Sequence, residues 1–468
     1  MHPISESGKD ILSYKKPLTR EQLRSAGKSL RDKIARSSHA SWIRSSNEQD
    51  TIDTLIESSN GRLTELVPIR YRRMMQSPFA FYRGAASIMA ADLAESPSSG
   101  ILVQDCGDCH LVNFGGFATP ERRVIFDIND FDETHSGPWE WDVKRLATSI
   151  VIAGRNNRFG RAETRQAAVR CVQSYREHLK TYAEMHLLQM WYQRIDQQAI
   201  LSSLQSDKWK AWKKSIQDRI VKETSRSFDE AYIPRMVTTK SGKPQIKDSP
   251  PLIFHQSDYR KTKYHEIVTE AFRQYRKNLT DDRNALLDHY EIKDIAIKVV
   301  GIGSVGMLCA ILLLMTADND VLFLQVKEAR ASVLEPYVGK SNYSNCGQRV
   351  VAGQRLMQSA SDIFLGWTRG PARDFYIRQL QDIKIKPRVE MFDSLAMSKY
   401  AEWCGWALAR AHAKSGNAAM IIGYLGNSNE FDEAIASFAL TYADQNELDY
   451  QSFLKAIRAG KIAVNGEH

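Results

Sequence analysis

From position 139 to about 212 apolar residues return every three or four positions, and the same period resumes at Ser394 and holds through 400–414. That spacing gathers apolar side chains on one face of a helix, so both stretches are predicted helical. Residues 79–93 repeat the pattern and stop at the turn-forming cluster Ser96-Pro97-Ser98-Ser99-Gly100. Two short apolar runs, 101–103 and 124–128, flank a polar loop and predict strand, loop, strand. Residues 295–327 are rich in β-formers around a glycine loop, and 374–382 predict another strand. Residues 205–290 are the most hydrophilic stretch, with a hairpin signal at Lys240-Ser241-Gly242-Lys243-Pro244 and a break at Pro250-Pro251.

This pattern predicts an α+β chain with a large helical lobe and a smaller β-rich one. The expected division is a helical lead-in (1–74), a helical lobe carrying two polar loops (75–230), a connecting region (231–290), a β-rich lobe (291–393) and C-terminal helices packing on the helical lobe (394–468).

Composition narrows the picture. A hydrophobic share of 43% and a charged share of 25% suit a globular chain. A net charge of +9 favours anionic partners such as nucleotide phosphates, but over 468 residues it is too mild to single out nucleic acid. Six scattered cysteines form no disulfide framework, and positions 1–16 carry no apolar stretch, so a reducing, cytoplasmic setting is expected. Residues 299–316 are uncharged, yet glycines interrupt them and Lys298, Asp318 and Asp320 flank them. A buried strand, loop and strand is expected there, and no membrane partner.

The candidate chemistry starts at Cys106-Gly107-Asp108-Cys109-His110-Leu111-Val112-Asn113, followed by the strand end Ile128-Asn129-Asp130-Phe131-Asp132. Phosphoryl transfer needs one carboxylate to orient or deprotonate the attacking hydroxyl, and an amide and a second carboxylate to hold magnesium against the phosphates. Asp108 is the expected base, and Asn113 and Asp130 the expected metal ligands. Asp132 and Asp127 are further candidates in the same acidic cluster, whose plain alternative is a solvated turn.

Gly301-Ile302-Gly303-Ser304-Val305-Gly306 would let backbone amides approach phosphates, and Lys327, ending an apolar run, stands where a strand lysine pairs with them. Gly301, Gly303, Ser304, Gly306 and Lys327 are thus expected to bind ATP, with magnesium as second cofactor. The competing pattern is dinucleotide binding, with 307–315 as a short helix after the glycines. That reading leaves Asp108 and Asp130 without a role. The Cys-x-x-Cys-His run also matches haem attachment, which needs export and a distal axial ligand, and a zinc site would need a second Cys/His pair at ligand spacing, so the two cysteines are expected to pack under the loop. Lys144, Arg145 and the Lys208, Lys210, Lys213 and Lys214 cluster read as solvated helix faces. Trp139 and Trp141 read as core.

The loop resembles that of the kinase-like phosphotransferases, the aminoglycoside and choline kinase group, whose pattern is His-Gly-Asp-x-His-x-x-Asn followed by Ile-Asp-Phe or Ile-Asp-Trp. The resemblance implies that Asp108 is the catalytic aspartate, His110 the second histidine, and Asn113 and Asp130 metal ligands, with Cys106 where the group carries His. Gly137 and Asp142 match a Gly and an Asp that open its next helix. It implies a protein-kinase-like two-lobed fold that is circularly permuted, because here the glycine loop and Lys327 follow the catalytic loop. It also implies an acidic partner for Lys327, for which Glu335 is the candidate. The chain is more closely similar to an uncharacterised bacterial family, domain of unknown function 2252. That similarity rests on Ser77-Pro78-Phe79-Ala80-Phe81-Tyr82-Arg83-Gly84, Phe126-Asp127-Ile128-Asn129-Asp130-Phe131-Asp132-Glu133 and Gly347-Gln348-Arg349-Val350-Val351, among others. The family name implies no activity.

Only eleven residues separate Asp130 from Asp142, too few for a peptide-holding segment, so a small-molecule hydroxyl or amine is the expected acceptor. The expected function is an ATP- and magnesium-dependent phosphotransferase. A nucleotide-binding pseudokinase-type regulator and a NAD-type dinucleotide-binding protein are the alternatives.

Overall fold

The helical period of residues 139–212 and 394–468 resolves into long helices that pack on one another. The protein is described by a computed structural model covering residues 17–44, 51–225, 235–255, 263–380 and 384–464. The helices that build the site and its support are α1 (Arg20–Ser29), α2 (Val67–Met74), α3 (Pro78–Gly84), α4 (Ala86–Ala94), α5 (Trp139–Asn156), α6 (Arg161–Glu184), α7 (Lys263–Asn278), α8 (Cys346–Met357), α9 (Ser394–Ser415), α10 (Ala418–Leu425) and α11 (Glu430–Arg458). Helix α5 is buried at every position from Trp139 to Gly154 and forms the axis of the helical lobe. Helix α9 starts where the Asp393 side chain accepts from the Ala396 amide (2.7 Å) and stops at Gly416. Among the described residues, no helix is long and apolar enough to cross a membrane.

Close helix crossings rest on glycine. A Cβ at Gly405 in α9 would stand 2.1 Å from the Cys171 carbonyl oxygen of α6. Gly27 of α1 and Gly423 of α10 lie against each other's backbones in the same way. Residues 79–93, read as one helix, are two: the chain breaks at Ala85 (φ −113°, ψ 34°), and the buried Arg70 guanidinium captures the Gly84 carbonyl (2.8 Å). Trp212, which lies within the lysine cluster read as a solvated face, stacks on Trp403 at 5.0 Å and packs against the helical core instead.

The strands are β1 (Leu102–Asp105), β2 (Phe114–Ala118), β3 (Val124–Ile128), β4 (His135–Pro138), β5 (Val237–Lys240), β6 (Lys243–Ile246), β7 (Ile253–Phe254), β8 (Glu291–Lys298), β9 (Cys309–Met315), β10 (Val321–Ala329), β11 (Gly366–Gly370), β12 (Arg373–Gln379) and β13 (Lys384–Ile385). Six form an antiparallel sheet in the order β11-β12-β10-β9-β8-β7. Strands β9 and β10 are wholly buried; β9 reads as an unbroken apolar run, whereas β10 is apolar only to Leu324 and then carries Gln325, Lys327 and Glu328 into the interior. Leu312, Leu314, Leu322 and Leu324 face Val268, Ala271 and Tyr275 of α7. Ile311, Leu313 and Phe323 take the opposite face with Ile246. The uncharged run at 299–316 holds the expected loop and second strand, but the first strand, β8, ends before it at Lys298.

The hydrophilic stretch read as a connection supplies strand β7, the β5–β6 hairpin and the covering helix α7. Its polar residues line one side of these elements, and α7 shows the apolar spacing that buries the other side. Residues 307–315 form no helix; Cys309–Met315 is strand β9, so the dinucleotide-binding pattern lacks the helix it requires. The smaller sheets, β13-β2-β3 and β1-β4, carry the polar loops between the two lobes.

Gly405→Ala is expected to lower unfolding free energy by about 1–3 kcal/mol, because the α6–α9 contact leaves no room for a methyl. Denaturant unfolding measures this, and a loss under about 0.5 kcal/mol would show that the crossing yields freely.

Candidate functional site

Strand β1 delivers the chain into the loop that carries Asp108. Gly107 there has φ 78°, and a Cβ on it would stand 2.2 Å from the Glu133 carbonyl oxygen, so only glycine fits. Asp142 in the first turn of α5 accepts from the amides of Cys106 (2.7 Å) and Gly107 (3.1 Å) and fixes the turn from below. A short 3-10 turn, Leu111–Asn113, follows, and the Asn113 amide donates to the Asp108 carbonyl (2.8 Å). Asp108 and Asn113 thereby face the same space.

Arg145, read as a solvated residue, is 2% exposed and donates through Nε to Asp108 Oδ1 (2.8 Å) and again through Nη2. Its guanidinium lies over the Tyr82 ring (4.5 Å), and the Tyr82 hydroxyl donates to the Arg145 carbonyl (2.8 Å). Lys144 is likewise buried, donating to Ser96 (2.8 Å). Burial opposes charge on Asp108, but Arg145 and His110 outweigh it and hold the carboxyl below its ordinary range. His110 Nε2 is 3.7 Å from Asp108 Oδ2; burial pushes the imidazole down to about 3, so it stands neutral at physiological pH.

Across the cleft, β3 ends in the Asp130–Asp132 turn. Lys327 on β10 is 2% exposed; its ammonium bonds Asp132 Oδ2 and lies 4.0 Å from Asp130 Oδ1. Asp132 also accepts from Tyr376 Oη (2.7 Å) and Ser304 Oγ (2.9 Å). Burial opposes ionisation of Asp132, yet Lys327 and these hydrogen bonds bring its carboxyl down to about 2. Asp130, with 37% of its side chain open to the cleft, is pushed upward by burial and by the neighbouring Asp132 carboxylate. Glu335, the expected partner of Lys327, instead accepts from the Ser332 amide. Helix α8, which follows β10, contributes Arg349 to the backbone carbonyls of Asp132 (2.8 Å) and Arg330 (2.7 Å).

The glycine loop joins β8 to β9, with Gly301 at φ 65° and Gly306 at φ 88°. The N-terminal region grips it. Arg62 donates to the carbonyls of Gly303 (2.7 Å) and Val305 (2.6 Å), Arg73 to that of Gly301, and the Leu63 amide to that of Gly306 (2.7 Å). Asp108, His110, Asn113, Asp130, Asp132, Gly301, Gly303 and Ser304 all line one cavity of about 570 Å³, large enough for a nucleotide-sized ligand. Gly306 lies behind the loop against Arg62, and Lys327 reaches the cavity through Asp132.

Arg83 also lines this cavity; its Nε is buried without a hydrogen-bond partner. Burial lowers its basicity, and the carboxylates of Asp108 and Asp130 partly restore it. Asp127 is placed elsewhere: it is fully buried, bonded to Arg410 (2.7 and 2.9 Å) and Ser359 (2.8 Å), and holds β3 to α9. A trace of the buried charges is present in the sequence. Glu140, Asp142, Lys144 and Arg145 stand in a helix whose other positions through Gly154 carry no charge and are mostly apolar on every side, a setting in which charges must pair. Arg62 and Arg83 carry no such trace.

Asp130 and Asn113 fit a magnesium ion by donor chemistry, a carboxylate and an amide oxygen beside an open cavity. A carboxylate destabilised by its neighbour is relieved by a cation. The acids therefore divide: Asp127→Ala should cost about 3–5 kcal/mol by leaving Arg410 buried and unpaired. Asp130→Ala should leave stability within about 1 kcal/mol of wild type. Denaturant melts of the two variants check this, and equal losses would refute the division.

The family model described as an uncharacterised protein conserved in bacteria (DUF2252) matches residues 62–456. No curated protein and no solved structure gives a significant match. The matched span runs from Arg62 through both lobes and contains every cleft residue described above, and the chain belongs to the DUF2252 family of bacterial proteins.

Proposed function

We propose that this chain is an ATP- and magnesium-dependent phosphotransferase acting on a small-molecule hydroxyl or amine, with a circularly permuted kinase-like fold. The observation that carries the reading is the contact of Lys327 with Asp132, beside Asp130, across 195 residues of sequence. It brings the glycine loop and the strand lysine onto the same cavity as Asp108 and Asn113. The order of elements adds support: the glycine loop joins β8 to β9 and the lysine stands on β10, the third strand in succession, as in protein kinases.

In this reading Asn113 and Asp130 would hold magnesium, which would supply positive charge to offset the charge developing on the phosphates. Asp108, kept ionised by Arg145, orients the acceptor hydroxyl more than it removes its proton. Neutral His110 supports that carboxylate without competing for the proton. Arg83, whose Nε has no hydrogen-bond partner while Arg62 and Arg70 are taken up by carbonyls and hydroxyls, faces the charge that develops on the transferred group. Lys327, held by Asp132, would place its positive charge beside the nucleotide phosphates. Residues 135–138 are paired with β1 as β4, which leaves no free segment to hold a peptide and supports a small acceptor.

The regulator reading draws on one observation: Lys327 is held by Asp132, and α8 offers Arg349 where active protein kinases present a glutamate. Two measurements decide. At about 100 times Kd, ATP with magnesium should stabilise the chain by about 2.7 kcal/mol in a thermal-shift assay. The effect should vanish in Asp130→Ala and be absent with NAD; stabilisation by NAD without a metal would sink the reading. In an ATP-hydrolysis assay, Asp108→Asn and Arg83→Gln should each slow turnover on the order of 100-fold. Nucleotide binding without hydrolysis across a broad acceptor panel would favour the regulator.

A further inference from the structure

Beneath the Asp108 loop three buried side chains from distant parts of the chain converge. Asp105 ends β1, Asp142 lies in the first turn of α5, and His412 in the last turn of α9. One ligand atom from each lies within 4.8 Å of the other two. His412 Nε2 stands 3.4 Å from Asp142 Oδ2 and 4.0 Å from Asp105 Oδ1, and all three side chains are sealed from solvent. Asp142 is satisfied by the two loop amides, with His412 Nε2 also within hydrogen-bond range of its Oδ2. Asp105 is not: neither of its oxygens has a hydrogen-bond partner. Gly137 covers it with bare backbone, since a Cβ there would stand 2.3 Å from Asp105 Oδ2.

A buried aspartate in this position is costly in either protonation state. Ionised, it adds a second uncompensated charge beside Asp142; protonated, it carries a hydroxyl with no acceptor. A divalent cation removes that cost.

We propose that Asp105, Asp142 and His412 bind a divalent transition-metal ion of the zinc class as a closed structural site. Two carboxylates balance the ion's charge, and an imidazole among the donors favours zinc, manganese or iron over magnesium or calcium. Asp105, with both oxygens free, supplies one or two donors. His412 ligates through Nε2, while its Nδ1 lies 2.9 Å from Tyr175 Oη, the outer contact that fixes the tautomer of a metal-bound histidine. The ion ties β1, α5 and α9 together directly under the turn that presents Asp108. The inference is independent of the phosphotransfer reading. Cys106 and Cys109 form a second triad with the same Asp142. Since Asp142 is shared and the unpartnered carboxylate belongs to the first triad, the ion is assigned there.

The test is metal analysis of the full chain, purified without chelator and then reconstituted with Zn²⁺ or Co²⁺. About one ion per chain is expected. It should be lost in Asp105→Asn and His412→Gln, and bound about tenfold more weakly in Tyr175→Phe. The Co²⁺ form should show no thiolate charge-transfer band. Chelator should lower the Tm of the wild type and leave that of Asp105→Asn unchanged. If the ligand variants do not fold, chelation of the wild type and the Tyr175→Phe affinity carry the test. A wild type that stays metal-free after reconstitution overturns the proposal in favour of a buried water. An ion retained in Asp105→Asn but lost in Cys106→Ser, or a thiolate band, overturns the assigned ligands.

Discussion

A lysine ammonium buried to 2% exposure must meet a carboxylate, and Lys327 meets Asp132. Desolvating a cation this deeply is expensive, so the β-rich lobe cannot close on the helical lobe unless the acid is in place. The acid is placed by the helical lobe, on the turn after β3, and its other contacts, Tyr376 and Ser304, come from the β-rich lobe. One carboxylate thus gathers the sheet, the glycine loop and the acidic turn. The cavity is the space that this closure leaves beside it.

The helical lobe supports the other wall by the same rule. Asp142 holds the backbone of the Cys106-Gly107 turn, Arg145 holds the Asp108 carboxylate, and the Asp127–Arg410 pair holds β3 to α9. Each is a buried charge or its partner, and each sets the position of a loop rather than filling a core. Removing one partner strands the other, which makes the loop geometry stiff. Lys327 and Arg145 also divide the acids by environment. Asp132 and Asp108 are bonded directly by protein cations, whereas Asp130, 4.0 Å from Lys327, is open to the cleft and destabilised by the neighbouring Asp132 carboxylate.

Much of this was legible in the sequence. The runs at Val124–Ile128 and Cys309–Met315 became strands because unbroken apolar stretches bounded by turns have few other stable fates. Asp108, Asn113 and Asp130 could be grouped beforehand because phosphoryl transfer would need those side chains at that spacing, and the fold lines one cavity with all three. The hydrophilic stretch misled because an edge strand, a surface hairpin and a covering helix expose many polar residues while still building the sheet. Arg145 misled because a basic residue on a helix is solvated more often than it is paired.

What the sequence determined by itself was local: which segments are helix or strand, and which residue types can hold metal or orient a hydroxyl. Periodicity and turn chemistry act over a few residues and leave a mark in any single chain. The tertiary structure alone decided the pairings, Lys327 with Asp132 instead of Glu335, Arg145 with Asp108, and Asp105 with Asp142 and His412. A buried charge takes whichever opposite charge the packing of distant elements brings within about 4 Å, and no spacing along the chain encodes that distance.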